Sequence, residues 1–70
     1  MTIDVILKMI RKELNISQEQ LARELKVSFT TINRWENGRR TPSQLAKMRL
    51  LEYCALKGIS KEIIDAIDHS

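Results

Sequence analysis

Ser17–Gly38, reading SQEQLARELKVSFTTINRWENG, is the stretch that decides the fold. Ser17 and Ser28 stand eleven residues apart, and each opens a run with apolar residues on one side only. Ser17 and Gln20 make an S-x-x-Q capping box, in which each side chain satisfies an orphan amide of the first helical turn. Leu21, Ala22 and Leu25 then share one face. Ser28 is the second N-cap, Ile32 and Trp35 follow on a common side, and Gly38 supplies a left-handed stop. Only Lys26, Val27 and Ser28 separate the two runs. A connection that short is a sharp corner between two helices.

Outward from this core, five helices are expected. The first runs from about Ile3 to Leu14, with Ile6, Met9, Ile10 and Leu14 inward and Lys8, Lys12 and Glu13 outward. Asn15 ends it, and Ile16 is placed to staple the next helix start. Helix 2 spans about Gln18 to Leu25 and helix 3 about Phe29 to Asn37. Thr41-Pro42-Ser43-Gln44 is a further capping signature, with Pro42 expected at the first helical position, where a missing N–H costs nothing. Helix 4 then runs to about Leu56 with Leu45, Met48, Leu51 or Leu50, and Ala55 as its inner stripe, and Gly58 stops it. Ser60 caps a last helix from Lys61 to about Ile67, whose apolar side is Ile63, Ile64 and Ile67. The expected fold is all-α: one domain over residues 1–70, a compact five-helix bundle with a helix-turn-helix formed by helices 2 and 3.

Composition agrees. Apolar residues make up 43% of the 70 residues, with two Gly and one Pro, too few turn formers for a β fold of short strands. No apolar run approaches the ~20 residues of a membrane span, and no signal-peptide layout opens the sequence. Cys54 is the single cysteine and His69 the single histidine, so neither an internal disulfide nor a Cys/His zinc cluster forms. Cys54 reads as a small hydrophobe on a helix. The expectations are a cytoplasmic protein, no metal, no cofactor and no small-molecule ligand.

Net charge is only +3, but its distribution is uneven. Residues 1–25 carry four basic and four acidic groups, and residues 50–70 two basic and four acidic. Residues 26–49 carry Lys26, Arg34, Arg39, Arg40, Lys47 and Arg49 against Glu36 alone, a balance of +5. Positive charge centred on the second helix of the motif is the footprint of a phosphate-facing edge. At about 100° per residue, Ser28, Trp35 and Glu36 fall on the Ile32 side, whereas Thr30, Asn33, Arg34 and Asn37 point outward and Phe29 sits on the border. That outward arc suits major-groove readout. Arg34 can donate two parallel bonds to guanine or hold a phosphate, and Asn33 can pair with adenine. Thr30 can offer a hydroxyl to a base or a methyl to thymine, and Phe29 can pack on a thymine methyl or stay at the core edge. Gln18 at the start of helix 2, with Ser28, Asn37, Arg39 and Arg40, can meet the DNA backbone. Trp35 is assigned to the core rather than to base stacking.

These residues resemble the phage repressor and Cro-like (lambda-repressor-like) helix-turn-helix family. The likeness rests on Arg11, Ser17-Gln18, Leu21-Ala22, Val27-Ser28, Thr31-Ile32, Trp35-Glu36-Asn37-Gly38 and Pro42-Ser43, and it covers nearly the whole chain. It implies that Gln18, Ser28, Phe29, Thr30 and Arg34 take DNA-contact positions and Asn37 and Arg39 backbone positions. It also implies an ion pair between Arg11 and Glu36, fixing helix 3 against helix 1. One position departs: Lys26 stands in the turn where the family often has Gly.

The expected function is a sequence-specific double-stranded DNA-binding transcriptional regulator, a repressor, placing helix 3 in the major groove and acting as a homodimer. Tyr53 and the Ile59 to Ile67 segment are dimer candidates, with core closure the stronger claim on those isoleucines. The alternatives are a protein-interaction module of the same fold (an antitoxin, coactivator or antirepressor) and a targeting domain of a restriction or modification system. An enzyme is not expected, since no Gly-rich phosphate loop or nucleophile–base pair is present.

Overall fold

The protein, described here over residues 1–70 by a computed structural model, consists of α1 (Ile3–Leu14), α2 (Gln18–Leu25), α3 (Phe29–Glu36), α4 (Gln44–Lys57) and α5 (Lys61–Asp68). α2 and α3 pack on each other across the corner, α1 supports α3 and α5, and α4 closes against α5 and α2. One apolar core results. α1 contributes Ile3, Ile6, Leu7 and Ile10, the motif Leu21, Ala22, Leu25, Ile32 and Trp35, and the last two helices Leu50, Tyr53, Cys54, Ile63 and Ile67, with Ile59 between them.

The helix ends explain why the elements stop where they do. Ser17 Oγ accepts the Gln20 amide and Ser28 Oγ the Thr31 amide, both at 3.0 Å. The reciprocal half of the Ser17 box is not formed: Gln20 Nε2 turns to Glu24 Oε2 at 2.9 Å. Lys26 adopts the left-handed region (φ 61°), and the amides of Lys26 and Val27 return to Arg23 and Ala22. Gly38 (φ 72°) ends α3 in the same manner, with the Gly38 and Arg39 amides on Trp35 and Arg34 carbonyls, the paired bonds of a Schellman stop.

Four expectations are corrected. Pro42 precedes the N-cap, which is Ser43, whose Oγ accepts the Ala46 amide at 3.2 Å. Ser60 occupies the N-cap position of α5 but makes no side-chain cap bond. Its amide instead donates to Glu13 Oε2 at 2.9 Å, joining α5 to α1. In α1 the inward residues include Ile3 and Leu7, while Met9 is exposed. In α4 the expected stripe is displaced: Leu45, Met48 and Ala55 are exposed, and Leu50, Tyr53 and Cys54 face the core. Apolar residues occur all around α4, so its periodicity carried no unique phase.

Contacts with α2 set that phase. Tyr53 Oη donates to Glu24 Oε1 at 2.7 Å, and Lys57 Nζ lies 3.5 Å from the same oxygen. Burial, then the bond to Glu24, raises the Tyr53 phenol above its ordinary value of 10. Tyr53 is thus a core residue clipped to α2, which removes it as a free dimer contact. Ile59, Ile63 and Ile67 are likewise buried and close the core. The Cys54 thiol is fully enclosed, and burial pushes it to about 11, leaving it protonated and inert at neutral pH.

Candidate DNA-binding surface

Ile32 and Trp35 enter the core because α2 and α1 bury that side of α3. This rotation turns Phe29, Thr30, Arg34 and Asn37 to the outside, where all four are exposed. Phe29 is 51% exposed although it is large and apolar. Ser28, expected on the inward side, is exposed as well, because its hydroxyl caps the Thr31 amide and bonds Thr31 Oγ1 at 2.8 Å.

Glu36 is the one buried charged residue, 2% exposed. Arg11 meets it with a fork: Nε donates to Oε2 at 2.7 Å and Nη2 to Oε1 at 2.8 Å. Gln18 Nε2 adds a third bond to Oε1 at 3.1 Å. Burial by itself would raise this carboxyl, but the bonds from Arg11 and Gln18 and the charge of Arg11 hold it below its ordinary value of 4.5. The same bonds raise the Arg11 guanidinium. The only acid in residues 26–49 is thereby withdrawn from the surface and neutralised. Lys26, Arg34, Arg39, Arg40 and Arg49 are exposed in the same stretch of sequence, so the exposed charge of residues 26–49 is of one sign.

From Glu36 a polar chain runs outward along α3. The carboxylate can only accept, so Gln18 must present Nε2 to it and direct Oε1 the other way. Asn33 Nδ2 donates to that Oε1 at 3.3 Å, and Asn33 Oδ1 accepts from Asn37 Nδ2 at 3.0 Å. Asn33 is consequently half-buried rather than free, and its carboxamide has one orientation. Sequence reasoning had Asn33 among the outward residues and Gln18 as a backbone contact, and it missed the link between them. The fifteen-residue separation of the two leaves no local pattern from which to read that link.

Between α3 and the start of α4 lies a cleft of about 320 Å³ lined by Thr31, Arg34, Trp35, Arg40, Thr41 and Ser43. It joins two guanidinium-bearing residues to a helix N-terminus, an arrangement that favours anions. Arg39, exposed beside Gly38, does not line it. Pairing of α3 with the α4 start depends on chain topology, and Thr31 was not singled out beforehand for that reason.

The exposed side of α3 thus carries Phe29, Thr30 and Arg34, and the anion-friendly cleft joins Arg34 to Arg40 and the start of α4. Residues 7–57 match the helix-turn-helix family model. The chain belongs to this Cro-type, lambda-repressor-like helix-turn-helix family, whose members bind DNA and are not enzymes. No curated protein and no solved structure matches it. No helix is long and apolar enough to cross a membrane.

Proposed function

We propose that the protein is a sequence-specific transcriptional repressor that sets α3 in the major groove of double-stranded DNA as a two-fold dimer. The observation that carries this is the one-sided chemistry of α3: Glu36 is buried against Arg11 while Arg34, Thr30 and Phe29 face solvent. Arg34 reads guanine through two parallel donors, and Phe29 and Thr30 pack on thymine methyl groups. Asn33, tethered by Gln18 and Asn37, holds the helix surface in register instead of forking onto adenine. Arg39, Arg40, Asn37, Ser28 and the amides at the start of α2 beside Gln18 clamp the phosphates. A module this small gains affinity by binding twice, on half-sites about 34–36 Å apart.

Selection of bound sequences from a random duplex pool tests the reading. It should return an inverted repeat with guanine at one position of each half-site. Affinity for that duplex should fall steeply between low and moderate salt, as counterion release requires. A chain that binds no duplex at low salt, or selects no sequence, would overturn it. Repressor action is checked by a reporter whose promoter contains the selected site, with loss of transcription expected.

A further inference from the structure

α4 is apolar on two sides. Its inner side enters the core through Leu50 and Cys54, yet on its outer side Leu45 is 67%, Met48 51% and Leu56 83% exposed. At about 100° per residue, Leu45, Arg49, Glu52 and Leu56 fall within an arc of about 60° on the side away from Leu50, with Met48 and Ala55 along one margin. The chain's ion pairs are Arg11–Glu36, Arg23–Glu19 and Lys57–Glu24, so exposed Arg49 and Glu52 are unpaired within the monomer.

The order of this stripe identifies its occupant. Leu45, Arg49, Glu52 and Leu56 follow spacings of four, three and four, so the apolar ends are symmetric about the midpoint and the charges are complementary when the helix is reversed. We propose that the outer face of α4 is a self-association surface, on which a second copy of this chain lays its own α4 antiparallel across a two-fold axis at positions 50 and 51. Leu45 then meets Leu56 of the second copy, Arg49 meets its Glu52, and symmetry repeats both contacts. Such an isologous pairing needs one patch that complements itself. A partner of single charge sign would find half of this face repulsive.

One helix per copy makes a small interface, below about 1,200 Å², which belongs to the weak and reversible class. Two copies held on neighbouring half-sites meet at a raised effective concentration, where a weak contact suffices. The inference deepens the dimeric part of the proposed function and rests on it only for the role on DNA.

Sedimentation equilibrium of the full chain without DNA, over a rising concentration series, tests it separately from DNA binding. The chain should self-associate. Arg49→Glu and Glu52→Arg each place like charges at both ionic contacts and should weaken association about tenfold. The double variant should recover it, and an equimolar mixture of the two single variants should associate more tightly than either alone. Leu56→Glu should abolish association while thermal unfolding followed by circular dichroism remains cooperative. A wild-type chain that stays monomeric at millimolar concentration, single reversals without effect, or failure of both recoveries would overturn the proposal.

Discussion

α3 and α4 differ in what their exposed sides contain. α3 buries Ile32, Trp35 and the neutralised Glu36 and leaves an aromatic, hydroxyl, amide and guanidinium face outside. α4 buries Leu50, Tyr53 and Cys54 and still leaves two leucines and a methionine outside. In α3 only one rotation removes apolar area from water, so burial alone aims the reading face. In α4 several rotations bury comparable apolar area, and specific partners on α2 and α5 choose among them. A polar outer face on a short helix points to DNA, whereas an apolar one of palindromic charge points to another copy.

The largest expected effect attacks the anchor of α3. Arg11→Ala leaves Glu36 enclosed without its guanidinium, and should cost about 3–5 kcal/mol in urea unfolding. If the loss is under about 1 kcal/mol, apolar packing alone orients α3. The same pair has a pH signature. Because the Glu36 carboxyl is lower in the folded chain than its ordinary 4.5, its stabilisation is complete above that value and is lost as pH falls through the folded value. Glu36→Gln should therefore flatten the acid limb of the stability profile.

Next in size is a paired test on α4. Leu50→Ala should cost about 2–5 kcal/mol by cavity formation, while Leu45→Ala should stay within about 0.5 kcal/mol. Equal losses would mean that the phase of α4 is wrong and that the contrast with α3 fails.

Two smaller effects sharpen the outer face of α3 and the corner before it. Arg34→Ala should lower discrimination at one base position by about 1–3 kcal/mol, while Arg39→Ala should weaken all duplexes alike and flatten the salt slope. Binding titrations on selected and scrambled duplexes separate these outcomes. Lys26→Gly should raise stability by about 0.5–1 kcal/mol, because the left-handed backbone there strains a residue with a Cβ. A neutral or negative result would show that glycine's greater unfolded-state freedom offsets the relief.

Most helix boundaries were legible in the sequence, since caps and stops are short-range devices: Ser17, Ser28, Gly38 and Gly58 act within a few residues of themselves, and only the start of α4 was misplaced, at Pro42 instead of after Ser43. The inward side of α3 was legible for a related reason, as only one of its faces is worth burying. Other features came from the tertiary structure. The phase of α4 was settled by Glu24 reaching Tyr53 across 29 residues. Asn33 was turned by Gln18, and Gln20 left its box for Glu24. Each of these is a choice between partners nearly equal in local energy, and a local pattern cannot rank them. Packing brings one partner within reach and removes the others.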